Sequence, residues 1–302
     1  MRVIGLAAAV AISLSACGGG TSSIAAPSPS APAPLPEVSS TPIEQEAVSP
    51  PAAPVVIPPP VPAPSAPSTA PVTTTPPSVA PAPLAGRVVV IDPGHDGGNA
   101  AHARDIATQV DIGTGTKECD TVGAQTADGY PEHALNFDVA QRLRDRLTSA
   151  GVRVALTHTD DTGWGPCITR RAAIGNEAHA AAAISVHADG GPSSGRGFHV
   201  ILPAPVAGLN DAIVAPSRRL GQAVHSAFAA ATGEPTADYL GSDGYTVRSD
   251  LGGLNLSTVP KVFIEMGNMD NGTDAARLET PAYRDRMAAG VAAGITAFLK
   301  ES

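Results

Sequence analysis

The segment Arg87-Val-Val-Val-Ile-Asp-Pro-Gly-His95 places a histidine directly after a short apolar run rich in β-branched residues. A continuous run of this kind predicts a strand buried on both faces, which is typical of a parallel sheet covered by helices. Pro93 and Gly94 end the predicted strand and leave His95 at its carboxyl end. In open α/β sheets the functional site usually lies beyond the carboxyl ends of the strands. The segment therefore predicts both a fold class and the edge of the sheet that carries chemistry.

Three further segments extend this pattern. Ala182–Val186 is an apolar run followed by His187, and Val262–Ile264 is an apolar run followed by Glu265. Glu132 instead opens a segment with the apolar periodicity of a helix. Two histidines and a glutamate are a common ligand set for catalytic zinc, and a further glutamate can move protons on and off a water at such a site. The four segments together favour a metal-dependent hydrolase.

Each of these side chains also has an ordinary structural explanation. His95 could be an exposed loop histidine, and His187 could be a buried histidine with satisfied hydrogen bonds. A carboxylate such as Glu132 is favoured in a first helical turn by the helix dipole. Glu265 is harder to explain, because an unpaired charge at the end of an apolar strand is costly unless a metal, a partner or a reaction accounts for it. Glu118 is an alternative ligand, but its loop offers no fixed geometry.

The other histidines are weaker candidates. His133 adjoins Glu132, but a helix turns successive side chains by about 100°, so we do not expect it to share the site. The remaining five lie in loop, strand-end or helix contexts without a matching carboxylate: His102, His158, His179, His199 and His225.

Strand-like and helical segments alternate along the chain, which predicts an α/β fold. We expect residues 87–302 to form a single three-layer domain, with a mostly parallel, mixed central sheet of about six strands flanked by helices. The predicted strands are Val88–Ile91, Val152–Leu156, Ala182–Val186, Gly197–Leu202 and Val262–Ile264. The predicted helices are one from Glu132 to about Gly151, Ile168–Ala180, Asp211–Ala231 and Pro281–Lys300. The long Gly-, Thr- and Asp-rich stretch that ends at Gly129 is predicted to be a loop containing a short hairpin.

The first 86 residues differ in composition from the rest. An apolar run from Val3 to Leu14 is too short to span a membrane and predicts a signal peptide over residues 1–16. Leu14-Ser15-Ala16-Cys17 resembles a bacterial lipobox, so we expect Cys17 to be lipidated; an ordinary cleaved signal is the alternative. Residues 17–86 are rich in Pro, Ala and Ser and contain no Lys or Arg, which predicts a disordered tether.

Net charge and cysteine content bear on two further properties, nucleic-acid binding and disulfide formation. The net charge is −9 and no basic stripe with interleaved aromatic residues is present, so we expect no nucleic-acid partner. Export permits disulfides, and Cys119 and Cys167 are the pair left if Cys17 is processed. We predict that this pair is bridged, with two free thiols as the alternative.

Four segments resemble, in order and spacing, the signature segments of a known family. They are Asp92-Pro-Gly-His95, Glu132-x-x-x-Asn136, Ser185-Val-His187 and Val262-Phe-Ile-Glu265-Met-Gly-Asn268-Met-Asp-Asn271. The family is that of the zinc-dependent N-acetylmuramoyl-L-alanine amidases of the Amidase_3 type, and the likeness is to secreted actinobacterial and mycobacterial members. It covers essentially all of residues 87–302. The resemblance implies one Zn²⁺ held by His95, Glu132 and His187, with Glu265 as the catalytic carboxylate.

The resemblance also implies a function. It implies hydrolysis of the amide between the lactyl group of N-acetylmuramic acid and L-alanine of the peptidoglycan stem peptide, in cell-wall remodelling and daughter-cell separation. We accordingly expect an exported cell-envelope enzyme, monomeric, lipid-anchored to the membrane, with peptidoglycan or muropeptides as substrate. A zinc peptidase acting within the stem peptide, a non-catalytic wall-binding protein and a structural tether domain are the alternatives.

Two positions depart from the family pattern. Asp96 stands between His95 and a Gly-Gly pair that often follows the first histidine directly. Asp189 stands two residues after His187, where the family often has Asn. Neither departure changes an implied ligand.

Overall fold

The computed structural model describes residues 84–302. The predicted signal peptide, Cys17 and the predicted tether up to residue 83 lie outside the described part of the chain. Within the described part, no helix combines the length and the apolar character needed to cross a membrane.

Eight strands form within residues 84–302. In chain order they are β1 (Val88–Pro93), β2 (Gln109–Asp111), β3 (Thr116–Glu118), β4 (Arg153–Leu156), β5 (Ala182–Asp189), β6 (His199–Pro203), β7 (Tyr245–Arg248) and β8 (Lys261–Asn268). Six of them build the central sheet in the order β4-β1-β5-β8-β6-β7, and β2 and β3 form a separate antiparallel hairpin. All pairs in the central sheet are parallel except β6 with β8. The predicted mixed, mostly parallel six-stranded sheet is confirmed.

Helices cover both faces of the sheet. They are α1 (Ala103–Ile106), α2 (Glu132–Ser149), α3 (Ile168–Glu177), α4 (Asp211–Thr232), α5 (Gly252–Asn255), α6 (Gly272–Leu278) and α7 (Pro281–Glu301). Residues of α2, α4 and α7 share one large buried cluster with the sheet, whereas α3 packs against a small second cluster on the opposite face. The arrangement is the predicted three-layer α/β domain.

The alternation of side chains along each strand separates these two faces. In β1, Val89 and Ile91 belong to the large cluster, while Val90 belongs to the small one. In β8, Val262 and Ile264 point into the large cluster. Glu265, between Ile264 and Met266, therefore faces the layer that contains α3 and α5. The large core is the apolar side of the sheet, and the α3 side carries the polar residues described below.

The structure adds elements that the sequence pattern did not indicate. The strand Tyr245–Arg248 is short, partly exposed and polar at the sheet edge, so it lacks the apolar alternation that identifies the other strands. The helix Gly272–Leu278 starts at Asn271, whose side chain accepts hydrogen bonds from the backbone of Thr273 and Asp274. The strands β5 and β8 run beyond their apolar cores to Asp189 and Asn268, so that His187 and Glu265 lie inside strands rather than after them.

Candidate active site

His95, Glu132 and His187 meet at the carboxyl ends of the strands. One ligand atom from each lies within 4.8 Å of the other two. His95 Nε2 lies 3.1 Å from one carboxylate oxygen of Glu132, and His187 Nδ1 lies 3.0 Å from the other. The two histidines follow β1 and lie in β5, which are neighbours in the sheet, and Glu132 comes from the first turn of α2. Residues that are far apart in sequence thus form one compact group of donors.

The backbone around this group is shaped to bring the rings together. His95 has a φ of 64°, a left-handed conformation that is costly for a non-glycine residue and is concentrated at functional sites. A Cβ on Gly94 would lie 2.1 Å from the His187 ring, and one on Gly123 would lie 2.7 Å from the His95 ring. Only glycine fits at either position, because any side chain would occupy the space that the histidines use.

Glu132 is buried and fully engaged. Its carboxylate accepts hydrogen bonds from the backbone N–H of Ala124 at 2.8 Å and from the Asn136 side chain at 3.2 Å. Burial alone would raise the pKa of Glu132, but the neighbouring His95 and His187 hold that pKa well below its usual range. The carboxylate is therefore kept ionised and fixed in orientation, as a metal ligand must be.

Electrostatics around His95 favour a positive charge. Burial would lower the pKa of His95, but Glu132 and Asp120 outweigh it and raise that pKa to about 10. Acidic groups that hold a proton on this ring also favour a bound cation, which would displace the proton. Two imidazoles and one carboxylate match the donor preference of zinc, and the space kept open by Gly94 and Gly123 accommodates them. The group fits a metal ion.

Arg171 supports the segment that carries His95. This buried guanidinium, on α3, donates to the Asp92 carboxylate at 2.9 Å, to Asp120 at 2.8 Å and to the backbone carbonyl of His95 at 3.0 Å. It also donates to the carbonyls of Pro93, Gly165 and Pro166. Every part of the guanidinium is therefore used to fix backbone and carboxylates around the end of β1.

Asp120 and Thr121 complete the support of His95. The Thr121 carbonyl lies 2.9 Å from His95 Nδ1, and an Asp120 carboxylate oxygen lies 3.5 Å from the same nitrogen. These contacts orient the ring so that Nε2 faces Glu132. No local sequence pattern marks Arg171, Asp120 or Thr121 as site residues, because their partners are distant along the chain.

Glu265 lies beside the three donors. It pairs in strand register with His187 of β5 on one side and with His199 of β6 on the other. Burial, with the nearby charges of Asp189 and Glu132, raises the pKa of the Glu265 carboxyl well above its usual range. A carboxyl group shifted in this direction holds a proton more readily than a free one does, which suits a group that accepts and returns protons.

A cavity of about 560 Å³ opens onto the α3 side of the sheet. His95, His187 and Glu265 line it at the strand ends, and Phe263 and Arg171 line it further along. The size suits part of a small-molecule or peptide-like ligand. Two of the three donors and Glu265 thus line the same cavity.

The remaining predicted candidates lie outside the group of three. His133 bonds to Asp161 at 2.8 Å, and Glu118 lines the cavity without joining the donors. The prediction that the other histidines lack a matching carboxylate is wrong for three of them. His199 lies 2.8 Å from Asp189, His102 lies 3.0 Å from Asp105, and His158 lies 3.6 Å from Asp96. The first of these pairs arises because β6 runs antiparallel to β8, which the sequence pattern did not indicate.

Asp189, the departure from the family pattern, is engaged on the protein side. The oxygen that contacts His199 also accepts a hydrogen bond from the Tyr239 hydroxyl at 3.0 Å. Asp96, the other departure, is buried, and one of its carboxylate oxygens lies 3.6 Å from His158 Nδ1. Neither acid is therefore part of the donor group.

Cys119 and Cys167 are joined by a disulfide bond. The bond links the segment after β3 to the residue before α3, and the Ile168 N–H donates to the Cys119 carbonyl at 2.7 Å. Asp120 directly follows Cys119, and Arg171 lies in the first turn of the helix that begins after Cys167. The crosslink therefore joins the two segments that support His95.

The fold and the site together define the class of the protein, an α/β enzyme with a candidate metal-binding group at the carboxyl edge of its sheet. A family model described as N-acetylmuramoyl-L-alanine amidase matches residues 89–297. The N-acetylmuramoyl-L-alanine amidase Rv3717 of Mycobacterium tuberculosis is 44% identical over 223 residues, which are 74% of this chain and 90% of that protein.

Solved structures of amidases also resemble this chain. The N-acetylmuramyl-L-alanine amidase Ami1 of Mycobacterium smegmatis matches with a TM-score of 0.68 and 41% identity, over 72% of this chain and 99% of that one. The apo form of Ami1 from Mycobacterium abscessus matches with a TM-score of 0.67 and 43% identity, over 72% and 100% of the two chains. The chain belongs to the N-acetylmuramoyl-L-alanine amidase family, as its motifs predict, and it is an enzyme of that class.

Proposed function

We propose that this protein hydrolyses the amide between the lactyl group of N-acetylmuramic acid and L-alanine of the peptidoglycan stem peptide. His95, Glu132 and His187 hold one Zn²⁺, and Glu265 is the catalytic carboxylate. The observation that carries the proposal is the position of Glu265 beside the three-donor group, with His95, His187 and Glu265 lining one cavity. The names of the related amidases support the choice of substrate bond.

Each residue has a defined task in this reaction. When bound, zinc supplies a Lewis acid that polarises the scissile carbonyl and lowers the pKa of a water molecule. Glu265 accepts a proton from the attacking water and then delivers it to the L-alanine nitrogen, which leaves as an amine. Without that second transfer the nitrogen would depart as an unstable anion.

The surrounding residues keep the geometry constant through these steps. Arg171 and Asp120 hold the His95 segment, and the N–H of Ala124 and the side chain of Asn136 hold Glu132. Residues that hydrogen-bond to metal ligands orient those ligands. Losing such a residue typically lowers metal affinity or activity by about 10- to 100-fold.

We further propose that the enzyme acts as a monomer in the cell envelope, on peptidoglycan or muropeptides. Export follows from the signal-like residues 1–16, and attachment to the membrane follows from lipidation of Cys17. Such an enzyme serves cell-wall remodelling and daughter-cell separation. Radiolabelled fatty acid recovered on the intact protein but not on a Cys17→Ala variant would support the anchor, and equal labelling of the two would refute it.

Product analysis tests the reaction directly. The full chain is incubated with defined muropeptides, before and after chelation and again after zinc is restored, and products are identified by mass spectrometry. The proposal requires the intact stem peptide with a free L-alanine amine, activity lost on chelation and regained with zinc. Cleavage inside the peptide would show the peptidase alternative, and no cleavage by zinc-loaded protein would show the non-catalytic one.

A further inference from the structure

An exposed aromatic pair stands on the surface near the site. Trp164 is the single tryptophan of the 302-residue chain, and 43% of it is exposed. Its ring stacks on that of His102, with centroids 5.4 Å apart and planes 18° apart. The imidazole thus stacks against the indole and leaves a large part of the tryptophan exposed. Large exposed apolar residues are few in the described part of the chain, and Trp164 is the aromatic one among them.

The loop that carries Trp164 is fixed in place. The Gly98 N–H donates to the Gly163 carbonyl at 2.7 Å, and a Cβ on Gly98 would lie 2.2 Å from that oxygen. On the other side, the Gly165 N–H donates to the side chain of the buried Asn99 at 2.8 Å. The residues before and after Trp164 are thus both held by the segment that follows His95. The indole is presented on a rigid support, so ordering it on binding costs little entropy.

The same contacts connect Trp164 to the donor group. The Asn99 side chain also donates to the Thr121 carbonyl at 2.8 Å, and that carbonyl lies 2.9 Å from His95 Nδ1. A short hydrogen-bonded path therefore runs from Gly165, beside the tryptophan, to the His95 ring. A second link joins the same loop to the site, since Asp161 accepts from the Gly97 N–H at 2.9 Å.

The proposed substrate brings a sugar to this region. Its scissile amide is attached through a lactyl group to a pyranose ring, so the glycan strand must cross the surface next to the cavity. Pyranose rings carry a face of polarised C–H bonds, which pack against the electron-rich face of an indole. We propose that Trp164, backed by His102, is a binding subsite for a sugar ring of the glycan strand. This inference rests on the proposed function and adds a glycan contact to it.

Intrinsic fluorescence tests the inference without catalysis, because Trp164 is the only indole in the full chain. The zinc-loaded protein is titrated with chitotetraose, a peptide-free N-acetylglucosamine tetramer, and separately with a sugar-free L-alanyl stem dipeptide. We expect a saturable change in tryptophan emission with the tetramer and a smaller or no change with the dipeptide. The His102→Ala variant should weaken the response to the tetramer.

Steady-state kinetics provide a second test of the proposed sugar subsite. For each variant, kcat/KM is measured on a tetrasaccharide muropeptide and on a single-sugar muramoyl peptide, and their ratio is compared. Trp164→Leu, which keeps an apolar side chain but no π face, should lower the ratio roughly three- to tenfold, whereas Trp164→Tyr should keep it within about twofold.

The outcomes separate this inference from the proposed function. Emission that does not respond to the tetramer, or a ratio unchanged in Trp164→Leu, would overturn the glycan subsite even if the wild type cleaves both substrates. Failure of the wild type to release peptide from either substrate would instead refute the proposed function, while the fluorescence titration would still report on sugar binding.

Discussion

The two faces of the central sheet share the same strands, but one face is apolar and the other carries buried charged and polar groups. On the α2/α4/α7 side, residues such as Val262 and Ile264 are buried in a continuous apolar cluster. On the α3 side, the alternate positions of the same strand are Lys261, Phe263 and Glu265, which adjoin the cavity or the ion pairs beneath it. Successive residues of β8 therefore alternate between the apolar core and the polar face that carries the cavity.

The polar face is stabilised by paired charges rather than by apolar packing. Asp92 accepts hydrogen bonds from Arg171, Lys261 and Ser185, all buried. Isolated buried charges would be costly, and these are tolerated because each has a partner. The comparison implies that substitutions on the apolar face should change stability alone. Substitutions on the polar face should change catalysis at Glu265 and the metal-binding candidates, and stability at the ion pairs beneath them.

The largest expected effect is on catalysis, from Glu265→Gln. Loss of the proton-transferring carboxylate should lower kcat by about 10²- to 10⁴-fold. Zinc per protein and the urea midpoint of unfolding should stay close to wild type, because the amide fills the same space and no donor to the metal is lost. His187→Ala is the control, since it should lose zinc. Near-normal turnover by Glu265→Gln would remove this residue from the mechanism.

The neighbouring substitution, Ile264→Ala, should behave in the opposite way. Truncating this fully buried side chain removes apolar contacts and leaves a cavity, so the free energy of unfolding should fall by about 2–5 kcal/mol. Below the unfolding transition, kcat should stay within a few-fold of wild type. Urea denaturation and initial rates at low temperature measure the two quantities. A variant that keeps its stability but loses its activity would contradict the division between the faces.

The smallest effect concerns the ion pairs of the polar face and depends on pH. Burial would raise the pKa of Asp92, but Lys261, Arg171 and Ser185 hold that pKa well below its usual range. A carboxylate whose folded-state pKa is depressed stabilises the fold above its unfolded pKa of about 4, and that contribution is lost as pH falls through the folded value. Ser185→Ala removes a 2.6 Å hydrogen bond to Asp92 and should lower the free energy of unfolding by about 1–3 kcal/mol at pH 7.

The sign of this pH dependence is the decisive feature. The stability difference between wild type and Ser185→Ala should stay constant from pH 7 to about pH 4, because Asp92 titrates in the same way in the two unfolded chains. It should shrink only where the pH falls into the depressed folded-state range of Asp92, because the bond stabilises the ionised carboxylate. Urea unfolding of chelated protein over a pH series, from neutral into strong acid as far as the fold persists, measures the difference without a contribution from metal binding. A difference that grows in acid would mean that Ser185 stabilises the protonated carboxyl.

The parts of the molecule that were predictable from sequence are those with a local signal. β1, β5 and β8 have β-branched apolar cores, and the polar residues that end those cores point to the site. The support of His95 had no such signal, since Arg171 contacts Asp92 and Asp120 only after the chain has folded. Likewise, the pairing of His199 with Asp189 depends on an antiparallel strand whose direction cannot be read from its own sequence.

The two ends of the described domain lie side by side. Arg87, just before β1, donates a hydrogen bond to the backbone carbonyl of Ser302 at 3.2 Å. Since β1 runs from Val88 toward His95, this junction is at the opposite pole from the catalytic edge. Closing it with a short linker and opening the chain at an exposed loop would give a circular permutant with the cleft untouched. The enzyme could then be attached to a support in a different orientation without changing a residue of the site.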